Sequence, residues 1–215
     1  MNKIIEIFKK KIPNNALGRY RAIKNILFKN RYLTKWENDG YPIPPPHIVK
    51  QETIKKYAAD FNIKIFIETG TYLGDMADAV KREFDLIYSI ELSHDLWLKA
   101  SNRLKSYNHI KIIEGDSGEE LKRLVPQITQ PSLYWLDAHY SGGITATGTK
   151  SCPIYSEIEA ILKSKVSGNI ILIDDARLFN GQDDYPKIED LKNYIKKYKN
   201  HSQIKIEFDL IRVIL

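Results

Sequence analysis

The 215-residue chain has the size of one ordinary domain with a short extension, and at 43% hydrophobic and 28% charged it can build a core rather than remain disordered. Its single cysteine, Cys152, excludes an internal disulfide framework and a cysteine-rich zinc module, and apolar runs such as 170–173 are too short to span a membrane. The net charge of +6 belongs to one end: residues 1–35 hold ten basic side chains against Glu6 alone, and the other 180 residues hold 23 basic and 26 acidic groups.

The basic arm reads as helical. Ile4, Ile5, Phe8 and Ile12 form one stripe, Pro13 stops it, and Tyr20, Ile23 and Leu27 repeat the spacing. Lys9, Lys10 and Lys11 follow too short an apolar patch for a signal peptide, so a soluble cytoplasmic protein is expected. The Pro-rich stretch 40–47 marks a boundary, dividing the chain into a basic helical extension (1–46) and a main domain (47–215). A helix is predicted over 48–60, with Ile54, Tyr57, Ala58 and Phe61 turned inward.

From residue 63 onward, short β-branched runs alternate with helical segments. The predicted strands are 64–68, 86–91, 110–114, 132–136, 169–173, 204–208 and 211–215, with helices over 74–84, 94–107 and 153–164. Nearly continuous apolar strands separated by helices indicate a parallel sheet buried on both faces. The last two runs are separated only by Asp209 and Leu210, so they must turn directly into an antiparallel pair. The expected fold is an α/β, doubly wound, Rossmann-like, mostly parallel seven-stranded sheet ending in an antiparallel hairpin.

Ligands of such sheets bind beyond the carboxyl ends of the strands. After the first strand comes Glu68-Thr-Gly70-Thr71-Tyr72-Leu73-Gly74, where the glycines allow a tight turn and close backbone approach. The second strand ends in Glu91, suited to accepting hydrogen bonds from two ribose hydroxyls, and the third in Glu114-Gly115-Asp116-Ser117, where an acid can meet an adenine amino group. Three such positions in register indicate an adenosine-containing ligand. Tyr72 stands where a nicotinamide site favours Gly, and no Gly-Lys-Ser/Thr of a nucleoside-triphosphate loop is present.

The fourth strand ends in Asp137-Ala-His139 and the fifth in Asp174-Asp175. Neighbouring strands lie about 4.8 Å apart, so these carboxylates converge and call for a neutralising cation. Hard oxygen ligands without a nearby cysteine suit Mg²⁺, with Mn²⁺ or Ca²⁺ as alternatives. Each residue also has a plainer role: Asp137 as a cofactor contact, Asp174 or Asp175 as a turn cap, His139 as a loop histidine.

Over residues 63–215 the set Glu68-x-Gly70-x-x-x-Gly74, Glu91 and Gly115-Asp116, with a terminal hairpin, resembles the class I S-adenosylmethionine-dependent methyltransferases. The resemblance implies an S-adenosylmethionine cofactor, its methionine part at Glu68, Gly70, Thr71 and Gly74, its ribose at Glu91 and its adenine at Asp116 and Ser117. The acids after strands four and five resemble those of the metal-dependent macrocin-type sugar O-methyltransferases and related polysaccharide-cluster enzymes. That likeness implies Mg²⁺ on Asp137, Asp174 and Asp175, and His139 as catalytic base beside Asp137. The expected reaction is methyl transfer to a hydroxyl of a sugar or glycan precursor. Its alternatives are a metal-independent N- or O-methyltransferase on another small molecule and a non-catalytic cofactor-binding scaffold.

Two loops, 140–151 and 176–186, the second containing Phe179 and Asn180, are expected to form the acceptor site. The basic arm is read first as a lid or homo-oligomer contact and second as a peripheral contact with the inner membrane face through its helices. No nucleic-acid partner is expected, since no aromatic-basic interleaving or recognised module accompanies the charge.

Overall fold

The computed structural model describes residues 28–137, 153–182 and 184–215. The stripes over Ile4–Ile12 and Tyr20–Leu27, and the stretch containing His139, lie outside them.

Seven strands form one sheet: β1 (Ile65–Thr69), β2 (Leu86–Glu91), β3 (Ile110–Glu114), β4 (Ser132–Leu136), β5 (Ile170–Ile173), β6 (Gln203–Glu207) and β7 (Leu210–Ile214). Their order is β3-β2-β1-β4-β5-β7-β6. The first five are parallel, while β7 runs antiparallel to both β5 and β6. Among the described residues, these helices pack around them: α1 (His47–Asp60), α2 (Asp75–Val80), α3 (His94–Leu104), α4 (Ser117–Leu124), α5 (Ile154–Leu162) and α6 (Ile188–Tyr198). This is the doubly wound sheet with a terminal hairpin that the sequence predicts. Among the described residues, no helix is long and apolar enough to cross a membrane.

Alternation along the strands feeds two cores, one on each face. Ile65, Ile67, Tyr134, Leu136, Ile171 and Ile173 join residues of α4, α5 and α6 on one side. Phe66, Leu133, Trp135, Ile170 and Leu172 meet Ile54 and Ala58 of α1 and Met76, Ala77 and Val80 of α2 on the other. Successive side chains of a strand point to opposite faces, so a run such as 133–136 is built of large apolar and aromatic side chains throughout because both faces are covered.

The hairpin differs from the sequence reading by one residue. Glu207 pairs with Leu210, so the turn is Phe208-Asp209, both left-handed at φ 52° and 61°. A two-residue hairpin loop favours positive φ at both central positions, and Leu210 is fully buried as the first strand residue rather than a turn residue. Phe208 pays for its backbone with ring contacts: it stacks on Tyr41 at 5.2 Å and meets Trp36 edge-on at 4.8 Å. Phe61 is another correction. It caps α1, stays 44% exposed and stacks on Tyr57, while Ile54 and Ala58 are buried as expected.

The described part of the N-terminal arm, helical over 28–38, lies against this domain. Trp36 is buried with Ile48 and Val49 of α1, and Lys29 forms a 2.5 Å ion pair with Glu52.

Candidate functional site

Strand register lines up the residues at the carboxyl edge. Thr69 pairs with Ile90 and with Leu136, Leu136 pairs with Ile173, and Glu91 pairs with Glu114. One step further along each strand lie Glu114, Glu91, Gly70, Asp137 and Asp174, in that order across the sheet. The order of connection reverses between β1 and β4, where an open α/β sheet forms its ligand crevice.

The turn after β1 is fastened to β2. Gly70 and Thr71 donate their N–H groups to the Ile90 carbonyl at 3.0 and 3.2 Å, and the Gly74 N–H donates to Thr71 O at 2.8 Å. Gly70 and Gly74 have φ of 84° and 75°, and a Cβ on Gly74 would stand 2.8 Å from Leu104 Cδ1. A side chain at either position would be strained by the left-handed backbone, and at Gly74 the Leu104 side chain would also have to shift. Glu91 accepts from Tyr72 N at 2.7 Å and from Ser93 N at 2.9 Å, one donor on each oxygen. An ionised carboxylate has about four acceptor directions, so capacity for ligand hydroxyls remains. Burial pushes the Glu91 carboxyl up, against these backbone donors.

Glu68 lies beneath the turn, 2% exposed. Ser89 Oγ donates to it at 2.6 Å and is itself 2.6 Å from Thr71 Oγ1, so Glu68, Ser89 and Thr71 form a buried polar string under the glycine turn. Burial, followed by the charges of Asp137 and Glu91, raises its pKa to about 8, against the Ser89 hydrogen bond. The folded state therefore holds a proton that the unfolded chain releases near 4.5. Stability from this group is complete below about pH 4.5, falls as pH rises from there, and is lost above about pH 8, a change of on the order of 5 kcal/mol. Glu68→Gln is expected to flatten the melting temperature between about pH 5 and about pH 8, measured by thermal denaturation. An equally steep wild-type and variant profile would show that Glu68 is ionised in the fold.

Asp116 is the N-cap of α4, accepting from Glu119 N at 3.2 Å, with Ser117 buried beside it. Its cap role and the adenine role assigned from sequence use different lone pairs. At β4, Asp137 N donates to Thr69 O at 3.2 Å and lies 3.3 Å from Thr69 Oγ1, tying the two sides of the crevice together.

Asp137, Asp174 and Asp175 come together, each offering an oxygen within 4.8 Å of the others. The sequence reading anticipates this cluster but not its neighbour. Lys50, from α1, is hydrogen-bonded to Asp174 Oδ2 and lies 3.7 Å from Asp175 Oδ1. Burial pulls the Lys50 pKa down, but Asp174, Asp137 and Asp175 outweigh it and the net shift is upward. Asp174 is 2% exposed; burial raises its carboxyl and Lys50 opposes that. Asp175 is left-handed at φ 54° and accepts from Arg177 Nη1 at 2.7 Å. Arg177 also bonds Asp209 of the hairpin turn, whose Oδ1 accepts from Arg177 N at 2.8 Å.

Lys50 and Asp209 are the residues the sequence reading missed. A signal for Lys50 existed: it lies four residues before Ile54 and eight before Ala58, on the inward stripe of α1, where a lysine needs a partner. Of the acceptor-loop residues, Phe179 is buried in the core against Tyr185 rather than turned toward a ligand, and Asn180 is exposed. His139, Tyr140, Ser141 and Cys152 lie outside the described residues.

No family model matches the chain, and no curated protein matches it in sequence. Solved structures do. The O-methyltransferase TomG of Streptomyces achromogenes, involved in tomaymycin synthesis and solved with S-adenosylmethionine, superposes with a TM-score of 0.58 at 14% identity, over 86% of this chain and 87% of that one. An O-methyltransferase from Bacillus cereus with S-adenosylhomocysteine gives 0.56 at 12%, over 86% and 89%. A methyltransferase from Podospora anserina, also with S-adenosylhomocysteine, gives 0.54 at 17%, over 99% and 93%. The strand order, the terminal hairpin and these superpositions together give the chain the class I S-adenosylmethionine-dependent methyltransferase fold.

Proposed function

We propose that the chain is an S-adenosylmethionine-dependent O-methyltransferase acting on a hydroxyl of a small polar acceptor, with a sugar or glycan precursor as the acceptor class. The observation that supports it most is the row Glu91, Gly70, Asp137 and Asp174 at the sheet's switch point, with Asp116 beside it. That row has the acceptors an adenosine ligand needs on one side and a charged cluster on the other. The cofactors in the superposed structures support the same reading.

In this proposal the turn carrying Gly70, Thr71 and Gly74 holds the methionine part, Glu91 the ribose hydroxyls, and Asp116 with Ser117 the adenine. When bound, the cofactor supplies a methyl group on a sulfonium, which is transferred in line, so orientation of the acceptor provides much of the acceleration. Asp137 orients the acceptor hydroxyl. His139 takes its proton. The polar composition of loop 140–151 favours a hydroxylated acceptor over a flat aromatic one.

The three carboxylates are of the type that holds Mg²⁺, but Lys50 already supplies a cation to two of them, Asp174 and Asp175, from within the chain. That favours the metal-independent alternative. The test is methyl transfer from labelled S-adenosylmethionine to a panel of sugars, nucleotide sugars and phenols, for the wild type and His139→Ala. Label should enter a sugar-class hydroxyl, and His139→Ala should lower kcat by about 10²–10⁴-fold with unchanged affinity for the demethylated cofactor. Near wild-type turnover in His139→Ala would remove the base role. Transfer confined to phenols would overturn the acceptor class.

A further inference from the structure

A cation already stands among the carboxylates at the ends of β4 and β5. Across the sheet edge the charges alternate: Asp174, Lys50, Asp175, Arg177, Asp209. Lys50 comes from a different part of the chain than its partners, 124 residues away from Asp174, and only 13% of its side chain is exposed. Its attachment is rigid, because Ile48, Val49, Ile54 and Ala58 of the same helix are buried.

The network occupies part of the carboxylate capacity that a divalent ion would need. Mg²⁺ takes oxygens at about 2.0–2.1 Å in a near-octahedral shell. Here Asp174 Oδ2 accepts from the ammonium, Asp174 Oδ1 accepts from Asp175 N at 2.8 Å, and Asp175 Oδ1 accepts from Arg177. A metal entering the cluster would break the Lys50 hydrogen bond and sit within a few ångströms of an ammonium, where like charges in a half-buried site repel strongly.

We propose that Lys50 is the resident cation of this cluster, a positioning residue that holds Asp174 and Asp175 in place and makes the site independent of a divalent ion. Its part in turnover rests on the methyltransferase reading; its exclusion of metal does not. Removing the ammonium should convert the cluster into a metal site, because Asp174 then loses its principal counter-charge beside Asp137 and Asp175, whose negative charge Arg177 offsets only in part.

The experiment is a calorimetric titration of Mn²⁺ into the full chain, for the wild type, Lys50→Met and Lys50→Arg. The wild type and Lys50→Arg should give no saturable heat at micromolar to low millimolar Mn²⁺. Lys50→Met should bind on the order of 100-fold more tightly than the wild type, and Mn²⁺ should raise its melting temperature alone. In the methyl-transfer assay, wild-type activity should survive EDTA and Lys50→Met activity should depend on added Mn²⁺. Saturable micromolar binding to the wild type overturns the proposal, and this arm stands even when Lys50→Met does not fold. A folded Lys50→Met with no gain in Mn²⁺ affinity overturns it as well. S-adenosylhomocysteine titrated into the same wild-type sample tests the methyltransferase reading separately: failure there leaves the Mn²⁺ result intact.

Discussion

Asp174→Ala is expected to lower the unfolding free energy by about 3–5 kcal/mol, the largest loss for any exchange at the carboxyl edge. Asp174 is 2% exposed and Lys50 nearly enclosed, so the variant leaves an ammonium without its principal partner where water cannot replace it. An exposed pair such as Lys56 with Asp60 contributes at most about 1 kcal/mol, because solvent screens it. Chemical denaturation at neutral pH checks the difference. The double variant Lys50→Met/Asp174→Ala should recover a large part of the loss, since the stranded charge is then gone. Additive losses in the double variant would show that the two residues act separately.

Glu91→Ala is expected to weaken S-adenosylhomocysteine binding by on the order of 100-fold, from two charge-assisted hydrogen bonds to ribose at about 1.5 kcal/mol each. The carboxylate also fixes the loops that form the site, through Tyr72 N and Ser93 N. Glu91→Gln separates these effects: one amide oxygen still accepts a backbone N–H, while the charge and one acceptor are lost. It should bind more weakly than the wild type and more tightly than Glu91→Ala in the same calorimetric assay. Unchanged affinity in Glu91→Ala would remove the ribose assignment.

Strands were legible from their apolar, β-branched runs. The runs 86–91, 110–114 and 132–136 coincide with β2, β3 and β4; β4 is buried throughout, while β3, at the sheet edge, is only partly covered and is read from its three isoleucines. The hairpin was misread by one residue, since no Gly or Asn marks its turn and Phe208 holds a left-handed backbone through ring contacts contributed by Trp36 and Tyr41. Helices α4 and α6 are not among those read from the sequence; both are amphipathic, and α4, at eight residues, owes its start to the Asp116 cap.

The candidate site divides in the same way. Gly70, Glu91, Asp137 and Asp174 follow strand ends, so a correct strand reading brings them into one row. Lys50 does not follow a strand end. It reaches the row through a tertiary contact between α1 and β5, among other lysines of similar local sequence, and only its position on the buried stripe sets it apart from Lys55 and Lys56. The inference of a metal rested on the repulsion of the gathered carboxylates, which calls for a cation, and Lys50 supplies one in space.

The most direct measurement is calorimetric titration of S-adenosylhomocysteine into the purified chain in the presence of EDTA. Saturable one-site binding at micromolar concentration is the predicted result, since in the proposed site the cofactor side consists of the turn after β1, Glu91 and Asp116, without help from a metal. No binding heat from a folded sample, with or without added Mg²⁺, would contradict the methyltransferase reading and leave the fold without its proposed cofactor.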